Sequence, residues 1–255
     1  MMRSLLKIHL LELKCEFLKM FRLPAYVIPT LAFPLIFYVF FGLAFGTKSS
    51  VGGTNMASYL IATYGAFGVI GASLFGLGVS VAVERGQGWL QVKRATPMPL
   101  SAWFGAKIGM AVLFSTVIVT GLALLGIAFG GVHFAPAVWP LLFVTLVLGA
   151  LPFCALGLMI GYFAGPNSAP AIVNVIYLPM SFASGLWIPI EFLPKFVQKI
   201  APMLPPFHFA RLALIIIGAA KESAAGHIVA LIAFTLIFLA LATVAYRRDE
   251  GKVYG

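Results

Sequence analysis

An all-α integral membrane fold is predicted by three observations. The 255 residues are 62% hydrophobic and only 9% charged, against about 25% charged in a soluble domain. No Asp, Glu, Lys or Arg occurs from Ile108 to Ile190, and Lys48 is the one charge between Pro24 and Glu84. Apolar stretches of that length hold several bilayer spans, each needing about 20 mostly apolar residues. Six spans are predicted, at 25–46, 57–83, 101–130, 138–164, 168–187 and 226–246, within one transmembrane domain over 1–255.

Residues 1–23 come first. Leu6, Leu10, Leu13, Phe17 and Met20 recur at steps of four and three, which places them on one helical face. Lys7, Glu12, Lys14, Glu16, Lys19 and Arg22 lie away from it. Such an amphipathic helix either lies in the membrane interface or packs on a partner. Its charges leave no room for the apolar core of a secretory signal, so none is expected.

Pro24, Pro29 and Pro34 enter the first span, as membrane helices tolerate. At its outer end, "GLAFGTKSS" (42–50) superficially matches a phosphate loop. Only three residues separate its glycines, and Thr47 stands between Gly46 and Lys48, so the spacing fails. In the second span Gly68, Ala72, Gly76 and Ser80 fall four apart. Gly126 with Gly130, and Gly157 with Gly161 and Gly165, repeat the pattern. Small residues at this spacing let helices approach closely, either within one chain or across a dimer.

Between the second and third spans lies "VERGQGWLQVKRATPMPLSAW" (83–103), compact and charged between greasy neighbours. Thr96 precedes Pro97, which disfavours helical geometry and ends a short helix there. Spans four and five are joined near Gly165-Pro166-Asn167. Residues 188–225 are broken by Pro189, Pro194, Pro202, Pro205 and Pro206, and "FARLALIIIGA" (209–219) is apolar but too short to span. That length reads as interfacial or re-entrant.

Charge predicts orientation. With the N-terminus inside, the inner segments carry 12 of the 17 basic residues. The positive-inside rule then puts both termini in the cytoplasm. The net charge of +10 is accounted for by anionic inner-leaflet lipid, and no nucleic acid partner is expected.

Enzyme chemistry finds little support. His9, His133, His208 and His227 are scattered without a metal-ligand spacing. Glu191 and His208 share the outer segment and could meet. Cys15 and Cys154 are expected on opposite sides of an interface, unpaired. No metal and no cofactor are expected in this chain. The predicted spans contain no carboxylate, whereas ion-driven transporters keep ionisable groups there as relays. Energy for uphill movement would therefore come from elsewhere. The alternative from another class is an ATPase-independent membrane channel or scaffold.

Three stretches in order carry a resemblance: "PAYVIPTLAFPLIFYVFFG" (24–42), "ERGQGWLQVKRATPMPLSAWFGAKI" (84–108) and "LWIPIEFLPKFVQKIAPMLPPFHFARL" (186–212). Together with the N-terminal helix and the six-span layout, the sequence resembles the ABC-2 family of ATP-binding-cassette permeases over nearly its whole length. The resemblance implies an exporter subunit for a drug-, lipid- or glycan-like substrate. It implies a second permease copy and a cytoplasmic ATPase subunit that binds ATP and Mg. It makes 84–99 a coupling segment, with Glu84, Arg85, Gly88, Trp89, Leu90, Lys93, Arg94, Thr96 and Pro97 as its contacts. Leu90 and Trp89 would plug an apolar groove, and the four charges would pair around it. The family often has a second acidic residue and a Thr about where this chain has Gly86, Gln87 and Trp89. The resemblance also makes 188–225 an outer re-entrant cap, with Glu191, His208 and Arg211 as gate residues. It lines the pathway with Phe37, Tyr38, Phe41, Asn174, Tyr177, Ser181 and Phe182.

Overall fold

The computed structural model describes residues 2–45, 50–51, 53–96 and 98–250. The helices are α1 (Met2–Phe21), α2 (Pro24–Ala44), α3 (Met56–Gly86), α4 (Trp89–Arg94), α5 (Leu100–Phe129), α6 (Val138–Phe163), α7 (Ala169–Ala183), α8 (Lys195–Ile200), α9 (Pro205–Ile216) and α10 (Ala224–Glu250). A two-residue-strand hairpin, Ser50–Val51 with Thr54–Asn55, joins α2 to α3. Asn55 caps α3 by accepting from Ala57 N at 2.7 Å, satisfying one of the free N–H groups of the first turn.

Five helices are long and apolar enough to cross a membrane: α2, α3, α5, α6 and the Ala224–Arg248 part of α10. Their ends fall within a few residues of the predicted spans. The fifth predicted span, 168–187, is instead the 15-residue α7. At about 1.5 Å per residue it is roughly 22 Å long, short of the roughly 30 Å hydrocarbon core. It stops because Gly185 turns the chain at φ +76°, a conformation glycine adopts without steric cost.

The centre of the bundle is α3, almost wholly buried, with α2 and α10 mostly outward. Its glycines explain why. A Cβ at Gly68 would stand 2.7 Å from Ile118 and 3.0 Å from Pro34; at Gly71, 2.8 Å from the Tyr177 hydroxyl; at Gly76, 2.8 Å from Met110. Helices α2, α5 and α7 therefore press directly on its backbone. Gly157 and Gly161 in α6 do the same against Ser73, Gly78 and Val81. The small-residue faces thus serve packing within the chain. Over Leu74–Val79 the winding of α3 loosens to π-helical, where two glycines lower helix propensity.

Helix α6 is interrupted by a single turn residue at Gly149, where Phe209 of α9 lies against the backbone. A Cβ there would fall 1.9 Å from that buried ring. Gly149→Ala is expected to destabilise the protein by about 1–3 kcal/mol, as overpacking does. A lowered thermal midpoint in detergent checks this, and Phe209→Leu in the same chain should recover part of it.

Candidate functional site

The charged stretch between the second and third spans folds as two short turns and a helix. Gly88 sits at φ +77°, so the chain leaves α3 and enters α4 through a left-handed residue. The six residues of α4 divide by direction. Leu90 is buried in the core, while Trp89 and Val92 are 53% and 56% exposed. Thr96 Oγ1 donates to Lys93 O at 2.7 Å, closing the segment. The side chain of Arg94, and Pro97 as a whole, lie outside the described residues.

Among the described coupling charges, Glu84, Arg85 and Lys93 all bond to other parts of the chain. Glu84 and Lys107 are both buried. Lys107 Nζ donates to Glu16 Oε1 at 2.8 Å, to Ser80 Oγ at 2.9 Å and to Glu84 Oε1 at 3.0 Å. Trp103 Nε1 donates to Glu84 Oε2 at 3.0 Å. Lys19 closes the ring, pairing with Glu16 Oε2 at 2.7 Å and with Glu84. Burial opposes the charge on Lys19, yet the two carboxylates beside it hold its pKa above the ordinary lysine value. Arg85 donates to the carbonyls of Tyr162 and Ala164 at the end of α6. Lys93 pairs with Glu12 of α1.

Every buried charge here has an opposite partner and further hydrogen bonds, the condition for keeping ions out of water. The spacing produces it. Glu12, Glu16 and Lys19 share one face of α1; Ser80 and Glu84 are one turn apart on α3, as are Trp103 and Lys107 on α5. The ends of α1, α3 and α5 are thereby tied together, with α4 and α6 joined on through Lys93 and Arg85. Helix α3 runs three residues past the predicted span, to Gly86, and Glu84 lies in that extension.

A sequence model of the family described as ABC-2 type transporter matches residues 11–218. A Bacillus subtilis (strain 168) protein named "Putative transport permease YvfS" is 30% identical over 237 residues, covering 92% of this chain and 96% of the relative. The chain belongs to the ABC-2 type transporter family. It is a multi-pass membrane protein and a transport component rather than an enzyme.

The permease brings only part of the expected pathway set together. Asn174 and Tyr177 line a groove of about 850 Å³ between α1, α2, α3 and α7. Tyr177 stacks on Phe67 at 4.8 Å between ring centroids, and its hydroxyl donates to Phe67 O at 2.8 Å. Asn174 Nδ2 donates to Pro170 O at 3.0 Å. Phe37 and Phe182 pack around Trp187, which Phe67 links to Tyr177 and the groove, and Phe41 joins through Phe37. Tyr38 and Ser181 are fully buried, with Tyr38 turned toward Gly126 and Gly130 of α5.

At the other end of the bundle lies His208. It meets His227 of α10, Nδ1 to Nδ1 at 2.9 Å, and not Glu191. Its Nε2 lies 2.9 Å from Pro202 O. A carbonyl only accepts, so Nε2 carries a proton. Burial lowers the pKa of His208. Arg211 pairs with Glu222 and lies 3.9 Å from Glu191; His227 Nε2 is 3.1 Å from Glu222.

The hydrogen bond from Arg211 holds the Glu222 carboxyl below the usual glutamate range. A carboxylate lowered by folding stabilises the fold above its ordinary pKa and loses that contribution as pH falls through the lowered one. Contacts between α9 and the start of α10 are expected to hold at neutral pH and loosen below about pH 4. Hydrogen exchange across 218–226, corrected for its intrinsic pH dependence, checks this; Glu222→Gln should remove most of the pH sensitivity.

Glu12, Glu16, Lys19, Ser80, Trp103 and Lys107 were not among the predicted site residues. The available signal was Lys107 itself, a charge two turns inside an apolar span, where ionisable groups are costly and need partners.

Proposed function

We propose that the protein is the transmembrane subunit of an ATP-driven exporter. It moves a drug-, lipid- or glycan-like amphiphile out of the cytoplasm by alternating access. Two copies pair in the inner membrane, with both termini in the cytoplasm. Two separate cassette subunits bind ATP and Mg and do the hydrolysis. The chain makes six passes, α7 completing the fifth together with the turn that follows it, and 188–225 forms a re-entrant outer cap. These are expectations of family membership joined to the charge distribution.

One observation carries the reading: α4 presents Trp89 and Val92 outward while Leu90 and Lys93 fasten its other side to the bundle. A short helix built this way can receive a push from a soluble partner and pass it on. Glu84 and Arg85 act from behind, as anchors of that helix rather than as its contacts.

Purification of the tagged chain from its native membrane in mild detergent tests the reading. A stoichiometric soluble protein with a phosphate loop is the expected companion. A chain that came alone, even after crosslinking through Lys93, would favour an ATPase-independent channel or scaffold.

A further inference from the structure

The groove between α1, α2, α3 and α7 is apolar along its length and ionic at one end. Phe33, Phe67, Phe75 and Leu178 line the long part. Lys19 and Lys93 line the end that lies against α1 and α4. The charge at that end is not symmetric in what it leaves open. Both oxygens of Glu16 and both of Glu84 already accept hydrogen bonds from Lys19, Lys107 or Trp103. An ammonium has three N–H donors. Among the described residues Lys19 gives two to carboxylates and Lys93 gives one. The side chain of Lys19 is 45% exposed and that of Lys93 25%, against 3% for Glu16 and 10% for Glu84. Glu12 also lines this end, with Lys93 on one of its oxygens and a side chain 16% exposed, so the two ammoniums are the more exposed of the ionic groups there, Lys19 most of all.

We propose that this groove binds an amphiphile with an acidic headgroup, a phosphate or carboxylate. The head rests at Lys19 and Lys93 and a single tail runs along Phe33, Phe67, Phe75 and Leu178. A charge-assisted bond to each ammonium selects the head, and the apolar wall takes the tail, as in ligand sites with few placed polar groups. The groove begins at α1 and α4, so the site is filled from the membrane face that carries the N-terminus. Binding stands on the geometry alone. The step from binding to export rests on the function proposed above.

Cys15 supplies a reporter that needs no ATP hydrolysis. It is exposed and lines the groove, while Cys154 is buried. The rate of maleimide labelling at Cys15 is measured on the full chain in a neutral maltoside detergent. Dodecyl phosphate is expected to slow labelling at least five-fold. Dodecanol, dodecyltrimethylammonium and inorganic phosphate are expected to change it less than two-fold. Lys93→Gln and Lys19→Gln should each lose most of the protection, and Lys19→Arg should keep it. Lys93→Gln removes only a partly exposed pair, so it stays informative if Lys19→Gln folds poorly.

Equal protection by dodecanol or the cationic amphiphile would show a groove that does not read the head and would overturn the proposal. Protection by inorganic phosphate alone would make it a free-anion site. A Cys15 that is unreactive without any ligand would mean the groove is covered by a second copy, which also defeats it. Loss of a co-purifying ATPase would leave all these rates unchanged, so the two readings fail separately.

Discussion

Lys107→Met is expected to be the most damaging single substitution in the protein. It leaves the carboxylates of Glu16 and Glu84 buried, with only the half-exposed Lys19 between them. Removing one partner of a buried ion group costs about 3–5 kcal/mol, because the survivors stay charged away from water. A fall of many degrees in the thermal midpoint, or failure to reach the membrane, is the expected result. The control separates charge from packing. Lys107→Met combined with Glu16→Gln and Glu84→Gln removes the stranded charges and should regain much of the loss, since neutral replacement of a whole buried network is often tolerated. If the triple variant were no more stable than Lys107→Met alone, the cluster would matter for its shape and not for its charge balance.

Trp89→Ala with Val92→Ala is expected to do the opposite: little to the fold, much to the function. Both side chains are more than half exposed, Trp89 at the edge of the groove, and surface truncations of this kind usually change stability by less than about 0.5 kcal/mol. As anchors in an apolar groove of a partner they would together be worth about 2–4 kcal/mol. Retention of the ATPase subunit on the purified permease should fall by more than ten-fold, with an unchanged thermal midpoint. Leu90→Ala behaves differently. It empties a buried position, so it should lower stability and coupling together. A double variant that kept both the bound ATPase and substrate-stimulated hydrolysis would place the coupling surface elsewhere.

Much of the fold was legible because lipid imposes a coarse rule. Runs of about twenty apolar residues without charge read as candidate spans, and for five of the six the helix ends fell close to where those runs stop. What escaped were relations between runs. Lys107 and Glu84 each read as an inner-surface charge in one dimension; only the crossing of α3 and α5 shows that they face each other. The orientation of α4 was half legible. Trp89 and Leu90 are adjacent, so a helix must send them in different directions, yet which one points outward is decided by the neighbours of Leu90. His208 and Glu191 share one segment and were only candidates to meet, while the partner His208 takes, His227, sits on the next helix. The short α7 was not foreseeable from hydropathy, since the residues after it are as apolar as those within it.

The division of labour within α4 has a consequence for how such a chain can change over generations. On the proposed reading, anchorage and recognition fall to different residues of the same two turns. Drift at Trp89, Gln91 or Val92 alters what the helix offers to a partner and leaves Leu90 and Lys93 to hold it in place. A duplicated copy could therefore acquire a different companion in small steps, each one a folded protein. Drift at Glu84, Lys107 or Glu16 has no such path, because each step strands a charge.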